Sequence, residues 1–189
     1  MEKKIKEIAM LKSGVYANPS DEGKVIYVQA RHFDQNGEFN TRVKSYLDVD
    51  DKTAKELLAD HDILFAAKGS RNFAVVYDGS NGPAVASTSF IIVRINPEYC
   101  KLIIPEYISW FINHSRTQRQ LKAEAKGTFI PAITIKTLRH ITIEIPDIEK
   151  QQLILSISLL RKKERQLFAE IDAVREQLIQ TELISSTHQ

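Results

Sequence analysis

The sequence predicts an α+β fold, in which a mixed α/β domain with a twisted β-sheet core precedes one long C-terminal helix. Three observations predict it. Short β-like runs fill most of the chain before Pro146, one amphipathic helical pattern interrupts them, and a heptad pattern follows that proline. A chain of 189 residues holds one compact core. We therefore place the mixed domain at residues 1–146 and the helical segment at residues 147–189.

Five runs rich in β-branched, aromatic or other apolar residues predict the strands of the sheet. They are Val25–Ala30, Asp62–Ala67, Phe73–Tyr77, Phe90–Ile95 and Ile141–Ile145. Turn-forming glycines lie between several of them, at Gly37, Gly69, Gly79 and Gly82. The runs are short and separated by turns, which is typical of a sheet built from several small strands.

Two helices are predicted before Pro146. The longer one runs from Pro105 to about Lys126, because proline suits a first helical turn and the apolar residues that follow share one face. We expect Gly127 to end it. A shorter helix is predicted around Lys52–Leu58, with Asp50 or Asp51 as its N-cap.

The segment after Pro146 carries a heptad seam whose members are spaced alternately by four and three residues. The seam is Leu153, Ile157, Leu160, Glu164, Leu167, Ile171, Val174 and Leu178. A helix from Ile148 to Leu183 would be about 54 Å long, so we expect it to pair with a helix of another chain as a coiled coil. The alternative is an amphipathic helix that folds back on its own domain. We expect Glu164 to fix register or orientation at some cost in stability.

Charge and composition narrow the functional classes. The net charge is +2, but residues 63–146 hold 10 basic and 5 acidic side chains, a modest local excess that suits a polyanionic partner. The single cysteine, Cys100, excludes an intramolecular disulfide. Neither a bilayer-spanning run nor a signal sequence is recognisable, so we expect a soluble cytoplasmic protein without a membrane partner.

No catalytic constellation is recognisable, and we expect neither a metal nor a cofactor. The five histidines lack metal-ligand spacing, and phosphate-loop, dinucleotide-binding and serine-hydrolase motifs are missing from the sequence. Glu106, Glu124 and Lys126 superficially spell a nuclease signature, but one helix would hold its halves about 27 Å apart. Asn96-Pro97-Glu98-Tyr99 lacks the second proline of the amino-methyltransferase motif, and we interpret it as a turn.

The stretch Leu58–Asn72 resembles the Gly-Asp-Ile-Leu strand and loop of the DNA specificity subunit of type I restriction–modification systems. Further blocks resemble the same family in the same order: Phe73–Tyr77, Ala84–Arg94, Pro105–Asn113, Gly127–Ile133, Ile141–Pro146 and Glu149–Leu153. His61 stands where the family usually has glycine. Family members typically hold two recognition domains and two long helices, so this chain resembles a half-length subunit or one half of a longer one.

The resemblance implies a non-catalytic subunit that binds double-stranded DNA and reads one half of an interrupted site. It implies that the long helix pairs antiparallel with another as a spacer and docks a methyltransferase (modification) subunit, which a motor–nuclease subunit can join. A half-length chain would associate with a second copy or with a different recognition half. Two other functions stay open: a coiled-coil adaptor that binds protein and not DNA, and a fragment of a DNA nuclease or methyltransferase.

Three clusters are the candidate DNA contacts, because Lys and Arg bind phosphates while Arg and Asn read guanine and adenine. The first is Lys68, Ser70, Arg71 and Asn72; the second is Gln29, Arg31 and His32; the third is Lys126 and Thr128, on either side of Gly127. The alternatives are an ordinary solvated hairpin for the first cluster, with Asn72 only shaping its turn, and a plain helix C-cap for the third.

Overall fold

The computed structural model describes residues 1–34, 37–40, 45–48, 54–69, 71–124 and 132–186. The chain divides into two compact units, Met1–Gln151 and Gln152–Gln189. The division falls inside the long helix, a few residues after the boundary expected at Pro146. The first helical turn, which includes Gln151, therefore belongs to the first unit.

Nine strands and five α-helices are assigned within the described residues. The strands are β1 (Glu2–Lys4), β2 (Ala9–Ser13), β3 (Val25–Val28), β4 (Tyr46–Leu47), β5 (Ile63–Ala66), β6 (Ala74–Val76), β7 (Ala84–Ala86), β8 (Phe90–Ile95) and β9 (Thr142–Glu144). The helices are α1 (Ile5–Ile8), α2 (Pro105–Asn113), α3 (Ser115–Glu124), α4 (Ile135–Arg139) and α5 (Ile148–Ser186). The predicted α+β class, with a sheet core and a long C-terminal helix, is confirmed.

The strands form three small sheets. The largest has the order β2-β8-β5-β6 with antiparallel neighbours. In the second, β3 lies between β4, which is antiparallel to it, and β7, which is parallel. The third pairs β1 with β9, the two ends of the first unit.

The core lies around β5, whose four residues are all buried. A continuous apolar run of this kind is typical of a strand that is covered on both faces. Leu64 packs with a cluster of aromatic rings in which Phe33 meets Phe73 and Phe90 edge to face. Edge-to-face rings contribute about 0.5–1.5 kcal/mol beyond the area that they bury. The cluster therefore ties the loop after β3 to the β5–β6 hairpin.

The single helix predicted from Pro105 to Lys126 is wrong. His114 adopts an extended backbone (φ −63°, ψ 138°), so α2 ends at Asn113 and α3 begins at Ser115. The break frees the Asn113 amide to bind β6, because its Oδ1 accepts from the Ala74 nitrogen at 2.8 Å and its Nδ2 donates to the Ala74 oxygen at 2.7 Å. Two bonds to a strand edge compensate for the interrupted helix. Gly127, the predicted helix end, lies outside the described residues.

The short helix predicted at Lys52–Leu58 falls partly outside the described residues, as do its two candidate caps. Ala54 and Lys55 are helical, Glu56 is in a turn, and the two leucines that follow are not helical. The Leu58 nitrogen instead donates to the Ala84 oxygen at 2.8 Å, in the manner of a strand neighbour. The predicted helix is therefore too long at its C-terminal end.

Residues 1–13 form two strands and a helical turn that the sequence reading did not assign. Glu2 pairs with Glu144, and the Ile145 oxygen accepts from the amino terminus at 2.7 Å. Ile5 and Ile8 point into the core with no exposed surface. The N-terminal segment therefore closes the first unit against β9, the strand that precedes the long helix.

Candidate nucleic-acid interface

The loop between β5 and β6 carries the first candidate cluster. Lys68 and Arg71 are exposed, and Gly69 adopts φ 115°, a left-handed conformation that glycine tolerates without strain. The Asn72 Nδ2 donates to the Ala66 oxygen at 2.9 Å and so closes the base of the loop. The side chain of Asn72 thus makes a hydrogen bond within the hairpin. Ser70 lies outside the described residues.

Arg71 is held in place by its neighbours. Its Nη2 donates to the Asp34 oxygen at 2.7 Å and to the Phe33 oxygen at 3.4 Å. Its guanidinium carbon lies 4.5 Å from the centre of the Phe73 ring. A cation over an aromatic face contributes about 0.5–1 kcal/mol at an exposed site. These contacts fix the orientation of the guanidinium while the residue stays exposed.

The second cluster lies beside the first, because Arg71 bonds to the segment that follows it. Arg31 is exposed, and its Nε donates to Gln29 Oε1 at 2.9 Å, an oxygen that also accepts from the Ser45 hydroxyl at 3.3 Å. His32 has no exposed surface, stacks on Phe39 and accepts a 3.0 Å bond from the Gln29 nitrogen through Nδ1. The His32 ring is therefore shielded from solvent, and Arg31 is the exposed cation of the cluster.

Lys126 and Thr128, the third cluster, lie outside the described residues. The chain that follows them packs on the same hairpin. Ala132 forms an isolated antiparallel bridge with Lys68, and the Ile133 nitrogen donates to the Ala67 oxygen at 3.0 Å. The structure therefore brings the segments of the first two clusters together and places the described residues after the third against the same loop.

The sequence reading did not single out the ion pair that anchors the start of this hairpin. Asp62, only 1% exposed, accepts from Arg94 in a bidentate pair at 2.7 and 2.6 Å and also from the Ala59 nitrogen at 2.8 Å. The hydrogen bond to Asp62 raises the pKa of Arg94 above its ordinary value. The sequence feature that could have revealed this ion pair is an acidic residue directly before a buried strand, with an arginine on a second predicted strand. The pair links the start of β5 to β8.

The residue before Asp62 explains a departure from the family pattern. His61 has φ 66°, a left-handed conformation that glycine adopts without cost and other residues rarely adopt. The Tyr77 oxygen accepts from the His61 nitrogen at 3.0 Å, which holds this turn at the end of β6. A histidine therefore occupies the turn that glycine usually forms in the family that this chain resembles.

The second unit is the remainder of α5, a helix of 39 residues in all. The predicted long helix is confirmed, and the apolar seam residues are 46 to 66% exposed: Leu153, Ile157, Leu160, Leu167, Ile171, Val174 and Leu178. A shallow, largely apolar groove lies midway along the seam and is lined by Leu160, Lys163, Glu164, Leu167, Phe168 and Ile171. The helix therefore presents an exposed apolar seam that Glu164 interrupts.

Within the described residues, no group of three or more His, Cys, Asp or Glu side chains could hold a metal ion. None of the helices in the described ranges has the length and hydrophobicity needed to cross a lipid bilayer.

The described chain is thus a mixed α/β unit with exposed cations at one hairpin, followed by a helix with an exposed apolar seam. Residues 1–160 match the type I restriction modification DNA specificity domain. The chain belongs to that family.

Proteins that are similar to this chain include specificity subunits of type I restriction–modification systems. The type I restriction enzyme HindI specificity subunit of Haemophilus influenzae is 27% identical over 130 residues, which cover 67% of this chain and 28% of the relative. The crystal structure of the HsdS subunit from Thermoanaerobacter tengcongensis matches with a TM-score of 0.61 at 15% identity. The match covers 89% of this chain and 38% of that subunit.

A second solved structure has the same fold. It is the S subunit of a type I restriction–modification system from M. genitalium, which matches with a TM-score of 0.57 at 17% identity. The match covers 93% of this chain and 42% of that subunit. The chain thus spans less than half the length of the relatives that it matches.

Proposed function

We propose that this chain is a non-catalytic subunit of a type I restriction–modification complex that binds double-stranded DNA and reads one half of an interrupted site. The single observation that carries the proposal is the side chain of Arg71. It is exposed, it lies in the hairpin where the candidate clusters meet, and its guanidinium is held in one orientation by Phe33, Asp34 and Phe73.

A pre-oriented arginine suits base reading. The contacts to Phe33 and Asp34 both use Nη2, so Nε and Nη1 can still present donors to a ligand. Arginine forms bidentate hydrogen bonds with guanine O6 and N7 in the major groove, and holding its fork in place reduces the entropy lost on binding. We assign Arg71 to base reading within this proposal.

Lys68 and Arg31 fit a different task. Both are exposed cations beside the hairpin, and a lysine ammonium is a flexible point charge suited to phosphate oxygens. Phosphate contacts supply affinity without sequence information. We therefore assign these two residues to the DNA backbone, while Gln29 and buried His32 position Arg31. Asn72 holds the loop, and Ser70, Lys126 and Thr128 stay candidate contacts.

The long helix carries the second half of the proposal. Its exposed seam would pair with the helix of a second recognition half, and its remaining faces would dock a methyltransferase (modification) subunit, to which a motor–nuclease subunit can add. The named relatives support this assignment, because they are specificity subunits and each is more than twice as long as the part that this chain matches. In this proposal a second copy of the chain supplies the other recognition half.

DNA retention across a salt series tests the proposal. The whole chain is incubated with a pool of random-sequence duplexes, alone and with a methyltransferase subunit, and the retained duplexes are sequenced. We expect enrichment of defined bases and a steep loss of affinity as salt rises, because phosphate contacts release counterions. If no duplex is retained at about 50 mM salt, DNA reading is refuted and the protein-binding adaptor is favoured.

A further inference from the structure

Tyr16 is the most exposed large apolar or aromatic side chain among the described residues, with 80% of its surface in solvent. Its hydroxyl donates to Asn18 Oδ1 at 3.2 Å, and its ring lies in solvent. A single exposed apolar side chain is common at protein surfaces and needs no partner for that reason alone. Its significance depends on how firmly it is held and on what lies beside it.

The backbone on both sides of Tyr16 is held by one buried hydroxyl group. The Tyr27 side chain is buried, and its hydroxyl donates to the Val15 oxygen at 2.9 Å. The same hydroxyl accepts from the Ala17 nitrogen at 3.2 Å. The two bonds bracket Tyr16, so its peptide groups are fixed while its ring projects into solvent. A tyrosine has few rotatable bonds, and a ring on a fixed backbone therefore loses little conformational entropy when it binds a partner.

Tyr16 leaves the sheet at the same edge as the second candidate cluster, which follows Val28. On one side of the β7 segment, the Ser87 nitrogen donates to the Val28 oxygen at 2.8 Å. On the other side, the Ala86 oxygen accepts from the Val15 nitrogen at 2.9 Å. Both neighbours run parallel to this segment, so the residues that follow them emerge at one edge. With neighbouring strands about 4.8 Å apart, the two chains leave that edge about 10 Å from each other.

The turn after β7 brings the β5–β6 hairpin to this edge as well. The Ala67 nitrogen donates to the Ser89 oxygen at 2.9 Å, directly before Lys68. Gly14 is buried against the same turn, where an added Cβ would collide with the backbone of the turn. Only glycine therefore lets the chain that leads to Tyr16 approach so closely. The segments of Tyr16 and of the first two candidate clusters thus meet at one edge of the recognition unit.

We propose that Tyr16 is a further DNA contact, whose ring packs on the duplex in the groove that Arg31 and Lys68 approach. The major groove of B-DNA is about 12 Å wide, so side chains from segments about 10 Å apart fit into one groove. Cations supply an affinity that depends on salt, whereas a ring buries apolar surface and can contact the methyl group of thymine. This inference rests on the proposed DNA reading and adds an uncharged contact outside the three candidate clusters.

The surroundings of Tyr16 favour DNA over a protein partner. Arg31, Lys68 and Arg71 are exposed in the segments that meet at this edge. An aromatic ring among several cations suits a duplex, which offers phosphates and base edges close together. A methyltransferase subunit is the other class of partner that could cover Tyr16, and such a contact would affect only the assembly of the two proteins.

Replacement of Tyr16 in the whole chain tests the inference by fluorescence anisotropy, with a selected duplex and a random-sequence duplex. Tyr16→Ala should weaken binding by about fivefold or more. It should leave the slope of log affinity against log salt unchanged, because no charge is lost. Tyr16→Phe keeps the ring and should keep most of the affinity. Met10→Ala is the matched control, because Met10 is 53% exposed on β2 but pairs with Arg94, away from this edge, and should have little effect.

The possible results separate this inference from the proposed function. A wild-type chain that retains no duplex refutes DNA reading and the role of Tyr16 together. A chain that binds DNA equally well before and after Tyr16→Ala overturns the role of Tyr16 alone, and a loss confined to methyltransferase binding assigns Tyr16 to a protein contact instead. An equal loss in Tyr16→Phe would place the contact at the hydroxyl and overturn the packing of the ring.

Tyr27→Phe tests whether Tyr27 positions Tyr16. The variant loses both hydroxyl bonds around Tyr16, and we expect it to weaken DNA binding by about two- to fivefold. In the Tyr16→Ala background it should cause no further loss, because the ring that it positions is gone. A general effect on folding would weaken binding equally in both backgrounds, and that result would contradict the positioning role. Urea denaturation of each variant verifies that the chain is folded under the conditions of the binding assay.

Discussion

Conservative replacement of Arg71 separates base reading from the general attraction of a positive charge to DNA. Arg71→Lys keeps the positive charge but loses the planar fork and the stacking on Phe73. One good bidentate contact is worth about 1–3 kcal/mol of discrimination, or roughly 5- to 150-fold between the right and the wrong base. We expect this variant to lose preference at one base pair while its affinity for non-specific DNA and its salt dependence change little.

A lower stability of Arg71→Lys would explain only a small part of its loss of base preference. The Nη2 contacts to Asp34 and Phe33 lie at the surface, and one of them is long at 3.4 Å. Their loss together with the ring contact should lower the free energy of unfolding by about 1 kcal/mol, measured by urea denaturation. The unfolding free energy therefore has to be measured before a change in DNA preference is interpreted.

Lys68→Ala is the matched control. If Lys68 contacts phosphate, this variant should weaken binding to all sequences alike and reduce the slope of log affinity against log salt by about 0.9. The assay is fluorescence anisotropy with the selected duplex and its single-base variants at several salt concentrations. An Arg71→Lys variant that keeps the wild-type ranking of all duplexes would refute base reading by Arg71.

Three further predictions concern stability and assembly. Asp62→Ala should lower the free energy of unfolding, measured by urea denaturation, by about 2–3 kcal/mol. Three donors lose their acceptor, while the Arg94 side chain, which is 37% exposed, regains contact with water. A loss below about 1 kcal/mol would contradict the anchoring role of Asp62. Leu160→Asp should abolish self-association, measured by sedimentation. It should change the free energy of unfolding of the single chain by less than about 0.5 kcal/mol, because Leu160 is 66% exposed there. An unchanged assembly state would refute the seam assignment. Burial raises the pKa of Tyr77 from 10.0 to about 12, so its contribution to stability is present below pH 10 and is lost as the pH rises from 10 to 12. Tyr77→Phe should therefore flatten the fall in thermal stability between pH 10 and 12, and an equal fall in both proteins would contradict the assignment.

Local patterns predicted the parts of the fold that depend on local sequence. The apolar run that forms β5 and the heptad spacing of α5 contain their own signal, because burial on both faces or along one stripe dictates residue type at each position. The core strands and the long helix were predicted for that reason.

Long-range contacts decide the elements that the sequence did not reveal. β1 is three residues long and exists through its pairing with β9, more than 130 residues later in the chain. The break at His114 depends on the Asn113 amide meeting Ala74 on another element. Helical periodicity contains no information about either partner, so sequence reading extended one helix across the break.

The candidate interface also combines features that local sequence predicts with features that depend on contacts between distant residues. Residue chemistry identified Lys68 and Arg71 as cations in a hairpin, which the structure places at the surface. The bond from Arg71 to Asp34 joins residues that are far apart in sequence, and it draws Arg31 to the same place. Local sequence could not show that His32 is buried or that the Asn72 amide is used within the loop.

Selection of duplexes from a random pool by the intact chain, repeated at increasing salt, tests DNA reading most directly. We expect enrichment of one set of bases, repeated in inverted orientation if two copies bind together, with affinity that falls steeply as salt rises. Retention of the pool without any enriched bases, or no retention even at low salt, would contradict it.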